Sequence, residues 1–448
     1  MQRGRRSQGG LLRWIDAPAF VPLGLLAAAI VRLGWIALVD ARPIDDFQWY
    51  YGRAIGLAAG DGLRFGGRLT ALWPVGYPAT LALLFLATGP SLVAAKLLNV
   101  ALGVGTVWLS YGIARALFQS ERTARLTLLG MAFYPNHVAY TSLTATELPF
   151  LFALLLGVWL LLRRRTPLRL PGAGAAFGWG CLIKPIMLFI PALMLLAAHG
   201  RERRLRAARD LVVVYAVMLA VVAPWTLRNW REFGSFILVS NNDGINLLIG
   251  NNPEATGGYV RDTELTPVLD AAGSELERDR LARSLAKDYM RTHPWATLAR
   301  APAKLWHLWA KDVEGLYWNE LATGAGEDVP PSERPFYLAK LAAQAVWLGL
   351  LGCFALACAR FALAGRPPGF DPRWTFGLWL IAYTSALALV FFGSSRFHFP
   401  LVPFVAMYSA AGLVCVDRGR RRVLKPRRVA AEAPLALPVA AADDADPA

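Results

Sequence analysis

The sequence predicts an all-α, polytopic membrane protein, and three observations carry that reading. Of its 448 residues 56% are hydrophobic, and the mean hydropathy is +0.39. The apolar residues come in blocks near the roughly 20 residues that a hydrocarbon core about 30 Å thick requires of a helix. Short arginine-rich loops separate the blocks, and positive residues in short loops mark the cytoplasmic side.

The first block, 17–39, contains Arg32 as its only ion and follows Arg3, Arg5, Arg6 and Arg13. No small-residue cleavage site follows it, so it reads as a retained signal anchor. The next basic clusters are Arg115, Arg122 and Arg125, then Arg163, Arg164, Arg165 and Arg169. Arg201 to Arg209, then Arg360, Arg366 and Arg373, and finally Arg418 to Arg428 complete the series. With those clusters inside, about ten spans follow: 17–39, 92–113, 126–141, 147–162, 171–184, 185–199, 210–227, 336–359, 374–393 and 398–416. Both termini are then cytoplasmic. The stretch 74–88 is short and carries two prolines, Pro74 and Pro78, so it is expected as a juxtamembrane or re-entrant helix on the outer side. Basic loops flank 171–199 at both ends, so it is expected to cross twice, turning at Lys184-Pro185, where proline disfavours a continuous helix.

The net charge of +16 sits in those loops rather than on one patch. It is therefore a topology code with secondary attraction to anionic lipid, and it argues against a nucleic-acid partner. Cys181, Cys353, Cys358 and Cys415 all fall in predicted spans without metal-ligand spacing, which reads as packing. His137, His199, His293 and His307 have no partners at ligand spacing either. No metal and no cofactor are expected.

The chain divides into a cytoplasmic N-terminus 1–16, a catalytic transmembrane module 17–227 with outer loop 40–91, an extracytoplasmic loop subdomain 228–335, C-terminal transmembrane helices 336–416, and a cytoplasmic tail 417–448. The ends 1–10 and 429–448 are low in bulky residues and expected to be disordered. The 228–335 segment is turn-rich at Asn241-Asn242-Asp243-Gly244 and Asn251-Asn252-Pro253. It also holds a charged helix over 274–291, with Leu276, Leu281, Leu285 and Tyr289 at helical spacing. After Pro294, Trp295, Leu298, Leu305, Trp306 and Trp309 alternate with Lys304, His307 and Lys311. That pattern suits either a helix at the lipid–water interface or the core face of a small subdomain.

On this topology five features share the outer face: Asp45-Asp46, Trp73 to Pro78, Glu147, Arg228-Asn229, and Arg396 with His398. Carboxylates at a bilayer edge are costly and point to chemistry or a partner. A carboxylate can take a proton from an acceptor hydroxyl as general base. Arginine or lysine can hold an anionic phosphate and stabilise the charge that grows on it as it leaves. A hydroxyl is too weakly acidic for aspartate to deprotonate beforehand, so proton transfer must accompany departure of the phosphate.

Asp46, Tyr50 and Ala54 at spacing four, Gly60-Asp61-Gly62, and Pro74-x-Gly76-Tyr77-Pro78 form one pattern. Pro224-Trp225-Thr226-Leu227-Arg228-Asn229, Phe233-Gly234 and Gly250-Asn251-Asn252-Pro253 form a more distinctive one. Together, over about 20–415, they resemble the family 39-like bacterial glycosyltransferases of the GT-C fold, relatives of protein O-mannosyltransferases and aminoarabinose transferases. The resemblance implies a GT-C-type helical bundle and an inverting sugar transfer from a polyprenyl-phosphate donor. The transfer would occur at the extracytoplasmic face of the bacterial inner membrane, to a glycan, lipid or protein acceptor. It places the catalytic aspartate at Asp46, with Asp45 binding the acceptor or tuning it, and leaves the division between the two open. Glu147 matches the family's second acidic position, and Arg396 a late basic residue near the donor phosphate, where Lys184 and Arg228 are further candidates. Tyr50, Tyr77, Asn229 and His398 are the candidate substrate contacts. A transporter or flippase of lipid-linked sugars is the alternative, and an envelope scaffold a third reading. Ionisable residues gathered at one face, with no clear internal repeat, favour the enzyme.

Overall fold

A computed structural model describes residues 14–163, 166–260, 263–324, 330–365, 367 and 369–423. The expected disordered ends 1–10 and 429–448, together with Arg3, Arg5, Arg6, Arg13, Arg164, Arg165, Arg366 and Arg428, lie outside the described residues. The chain is helical nearly throughout. Loop one contains a two-residue hairpin, β1 (Arg64–Phe65) against β2 (Arg68–Leu69).

The amino-terminal half runs α1 (Phe20–Leu38), α2 (Asp45–Ala58), α3 (Gly76–Thr88), α4 (Leu92–Phe118), α5 (Glu121–Ala132), α6 (Pro135–Ala139), α7 (Glu147–Leu162), α8 (Arg169–Ile183), α9 (Leu193–Ala197) and α10 (Arg201–Phe233). The 228–335 segment holds α11 (Asp243–Gly250), α12 (Thr266–Asp270), α13 (Glu275–Thr292), α14 (Pro294–Ala299), α15 (Ala301–Trp309) and α16 (Glu314–Ala322). The chain then returns through α17 (Tyr337–Ala364), α18 (Phe376–Val390), the single turn α19 (Ser395–His398) and α20 (Val402–Val423).

Among the described residues five helical segments are long and apolar enough to cross a membrane: α1, α4, α10, α17 and Ser395–Cys415. A sixth forms if the pair Pro135–Ser142 and Glu147–Leu162, bent by 120°, counts as one span. The protein is a multi-pass membrane protein. Its helices depart from the ten expected spans in several places, and those at 171–184 and 374–393, α8 and α18, have only 15 residues each. The 126–141 block breaks after Ala132, because Pro135 cannot continue a helix. The 185–199 leg is a 3-10 turn, Pro185–Phe189, followed by the five-residue α9, with Pro185 and Pro191 interrupting it. The 210–227 block is the middle of the 33-residue α10, which begins at Arg201. Residues 74–88 yield the 13-residue α3, short of a full crossing.

A helix broken at membrane depth must satisfy its freed carbonyls internally. Arg32, fully buried, does this: its guanidinium donates to the carbonyls of Ala132 at 2.8 Å and Met131 at 3.2 Å. The lone ion of the first span is thus the cap of α5. Close approach of α8 to α10 rests on Gly174 and Gly178, where a Cβ would sit 2.6 Å from the Val214 carbonyl oxygen and 2.7 Å from Val221 Cβ. Small residues four apart let membrane helices pack at backbone distance. In the 228–335 segment, α13 starts on the cap residue Ser274 and packs Ala282 and Ala286 against Leu248 of α11. On α14 and α15, Trp295 and Trp306 are exposed while Lys304 and Leu308 are buried and Trp309 stacks inward on Trp347, so the aromatic pattern is split between the surface and the core.

Candidate active site

Four elements far apart in sequence deliver one charged group each. At the start of α2 the backbone turns through Asp45, whose φ of 49° is left-handed, a conformation aspartate tolerates better than most residues. The turn leaves Asp45 exposed and directs Asp46 inward. Glu147 opens α7 and is fully buried, its charge favoured by the helix N-terminus. Lys184 sits where α8 stops, held extended by the following proline. Arg396 is carried by α19, whose first turn is capped by Ser394 Oγ.

Arg396 joins the two carboxylates. Its Nη2 donates to Asp46 Oδ2 at 2.9 Å and its Nε to Glu147 Oε1 at 3.0 Å. Lys184 Nζ donates to the same Glu147 oxygen at 3.1 Å. The guanidinium lies over the Phe47 ring, 5.5 Å from its centroid, and Lys184 lies 5.7 Å from that of Phe150. Isolated buried charges are costly, whereas paired and hydrogen-bonded ones persist. Here two anions and two cations alternate. The other oxygen of Asp46, Oδ1, is buried and has no hydrogen-bond partner. Burial pushes the Asp46 carboxyl above its ordinary range; Arg396 pulls it down and the Glu147 charge pushes it up again.

Tyr50 and Tyr77 form an aromatic wall beside this cluster. Tyr50 lies one turn beyond Asp46, is hydrogen bonded to the Thr146 side chain, and meets Tyr77 edge-on at 6.0 Å. Burial and the nearby Asp46 charge both raise its phenol, keeping it neutral. Tyr77 donates to Asn99 Oδ1 at 3.4 Å.

The structure does not bring Arg228, Asn229 or His398 to the cluster. Arg228 donates to the carbonyls of Thr70 at 3.0 Å and Leu63 at 3.5 Å, and packs over the Trp225 and Phe233 rings. Asn229 donates to the Ile237 and Val239 carbonyls. Both residues tie loop one and the 237–239 segment to the carboxyl-terminal end of α10. His398 is fully buried on the far side of α19. There it stacks 4.5 Å from Trp347, meets the Leu308 carbonyl through Nδ1, and has Nε2 3.3 Å from Asp312. Alternation along one helical turn explains this: two residues after Arg396, the side chain points away. Among the described residues no group of three or more metal-ligating side chains occurs.

Residues 73–227 match the family described as dolichyl-phosphate-mannose-protein mannosyltransferase. No curated protein matches the chain in sequence. Among solved structures it is similar to the archaeal oligosaccharyltransferase AglB from Archaeoglobus fulgidus in complex with an inhibitory peptide and a dolichol-phosphate. The TM-score is 0.53 at 13% identity, covering 91% of this chain and 52% of that one. The apo form of the Archaeoglobus fulgidus oligosaccharyltransferase gives a TM-score of 0.54 at 14% identity, covering 91% and 52%. The chain has the GT-C fold. It spans about half the length of those archaeal structures. ArnT from Cupriavidus metallidurans bound to undecaprenyl phosphate overlaps more loosely, with a TM-score of 0.42 at 15% identity, covering 90% and 80%.

Within this GT-C chain the Gly-Asn-Asn-Pro motif does not line the charged cluster; it fastens the segment that delivers Arg396. Asn251 Nδ2 donates to the Val390 carbonyl at 2.9 Å, and its Oδ1 accepts from Lys304 Nζ at 3.0 Å. Lys304 also donates to the Leu389 carbonyl at 3.0 Å. The last carbonyls of α18 are thereby capped, as helix C-termini require. Gly250 abuts the Phe391 carbonyl so closely that a Cβ would lie 1.7 Å from its oxygen. Lys304, read from sequence within a pattern that suits either an interfacial helix or the core face of a subdomain, is 1% exposed. Its spacing of four from Leu308 was the available signal that it faces inward.

Proposed function

We propose that the chain is an inverting membrane glycosyltransferase that moves a sugar from a polyprenyl-phosphate donor to an acceptor hydroxyl at the extracytoplasmic face of the bacterial inner membrane. The observation that carries this reading is the guanidinium of Arg396 joining Asp46 and Glu147, with Lys184 behind Glu147. A guanidinium has five N–H donors and an ammonium three. The ion pairs use two of the first and one of the second, so 5 − 2 = 3 and 3 − 1 = 2 remain for a donor phosphate. The free Oδ1 of Asp46 is the acceptor for the hydroxyl proton.

In the reaction the acceptor oxygen attacks the anomeric carbon as the bond to the phosphate oxygen breaks. The hydroxyl proton passes to Asp46 Oδ1, and the bonding pair leaves with the polyprenyl phosphate. Attack opposite the leaving group inverts the anomeric centre. Arg396 and Lys184 stabilise charge gathering on the phosphate, an effect strongest where water is scarce. Glu147 holds both cations in place. The catalytic module is 17–227 completed by Arg396 from the C-terminal helices, and the 228–335 segment covers the acceptor side. The match of residues 73–227 to a mannosyltransferase family supports a lipid-phosphate donor. The acceptor is a cell-envelope glycan, lipid or protein.

Purified protein given polyprenyl-phosphate sugars and envelope acceptors should yield glycosylated acceptor of opposite anomeric configuration. Movement of the lipid-linked sugar across vesicles, with no transfer from any donor, would contradict this function and support a flippase.

A further inference from the structure

Buried polar atoms in folded proteins almost always find partners, so unpartnered ones grouped at a site mark where a ligand completes them. Beside the charged cluster, three such atoms lie on neighbouring elements: Asp46 Oδ1, the Tyr140 hydroxyl and Trp318 Nε1. Tyr140 is 1% exposed, packs edge-on against Phe399 at 4.7 Å, and lies within Coulombic range of Glu147 and Arg396. Trp318 meets Phe47 edge-on at 5.3 Å, and Phe47 carries the Arg396 guanidinium on its face. The elements bearing Tyr140 and Trp318 are pinned to each other. Asn319 Nδ2 donates to the Ala139 carbonyl at 2.9 Å, and Ser142 Oγ donates to Asn319 Oδ1. Both side chains are therefore rigidly placed before any substrate arrives.

We infer that Tyr140 and Trp318, beside the free oxygen of Asp46, form the subsite that grips the hydroxyls of the donor's sugar ring. The inference rests on the function proposed above. The chemistry matches: an indole N–H only donates, and a phenol both donates and accepts. Adjacent ring hydroxyls offer the same mixture of donors and acceptors. The apolar faces of Phe47 and Trp318 suit the C–H surface of a pyranose. Arg396 and Lys184 then take the phosphate, so sugar and phosphate are held by separate groups. A site built to hydrogen-bond a hydroxyl discriminates strongly against ligands lacking it.

The test compares wild type, Tyr140→Phe and Trp318→Phe for binding of undecaprenyl phosphate and of undecaprenyl phosphate carrying mannose, glucose, galactose or arabinose. Because the Tyr140 hydroxyl has no protein partner, Tyr140→Phe should melt at the wild-type temperature or above it. Each variant should bind the sugar-bearing lipid preferred by wild type about tenfold more weakly, the scale of one lost hydrogen bond. Binding of bare undecaprenyl phosphate should not change. Variants that hold the glycolipid as wild type does, or lose both lipids equally, would overturn the subsite. So would a wild type that binds no conjugate more tightly than the bare lipid. A wild type that binds no polyprenyl phosphate at all would instead overturn the proposed function.

Discussion

Arg396 and Asp46 stand 350 positions apart in sequence, yet Nη2 of one donates to Oδ2 of the other at 2.9 Å. The contact links the first loop to the segment that opens the last span. It also leaves Asp46 with one engaged oxygen and one open.

Removing the guanidinium should therefore be costly twice over. Arg396→Met leaves Asp46 and Glu147 as buried anions with Lys184 as their remaining cation, and breaking a buried pair in this way costs about 3–5 kcal/mol. Arg396→Lys keeps the charge but not the fork that reaches both carboxylates. We expect Arg396→Lys to fold and to lose about 100-fold or more in turnover, the scale of losing one transition-state donor. Melting curves beside steady-state rates check both parts.

Burial raises the Asp46 carboxyl, so its titration should shape the acid limb of activity. Only the ionised form accepts a proton, and a raised carboxyl becomes protonated earlier as pH falls. Activity should therefore decline below a pH clearly above the ordinary aspartate value of about 3.9. The stability contribution has the opposite sign. In that window the folded state binds more protons than the unfolded one, so stability falls as pH rises through it. A pH–rate profile together with pH-dependent melting of wild type and Asp46→Asn checks both trends; the variant should lose this stability slope.

Lys304 gives a second titration, outside the spans. Burial, with the Arg300 charge adding to it, lowers its ammonium to about 8. A neutral amine has two N–H groups to donate, and two acceptors, Asn251 Oδ1 and the Leu389 carbonyl, face it. Between about pH 8 and the ordinary lysine value of about 10.4 the unfolded chain holds a proton that the folded one lacks, so stability should rise with pH there. Lys304→Met should abolish that rise and lower turnover by loosening the segment before Arg396. Melting temperature against pH is the measurement.

Much of this was legible in the sequence because membranes impose strict lengths and charge rules. Blocks near 20 residues and arginine loops located the helices, and the four groups of the charged cluster, Asp46, Glu147, Lys184 and Arg396, were each singled out by type and position. What pattern could not supply was direction. Arg228 and Asn229 sit in a distinctive motif, but their side chains bond to the carbonyls of Thr70, Leu63, Ile237 and Val239 instead of reaching the cluster. His398 is two residues from Arg396 and points the opposite way. Helix breaks were equally hidden: Arg32 looked like a stray ion in the first span until its carbonyl partners appeared 100 residues away. Tyr140 gave no signal at all, since an unpartnered hydroxyl is a property of the packed state.

The most direct measurement of the central claim is the single-turnover transfer rate from a polyprenyl-phosphate sugar in Asp46→Asn and Asp45→Asn, beside wild type. Asparagine keeps the shape of aspartate but cannot take the hydroxyl proton. If Asp46 is the base, Asp46→Asn should slow transfer by about 100- to 10,000-fold, the usual contribution of general base catalysis. Asp45→Asn, at an exposed position, should stay within about tenfold of wild type. An Asp46→Asn rate equal to wild type, or a loss confined to Asp45→Asn, would contradict the account.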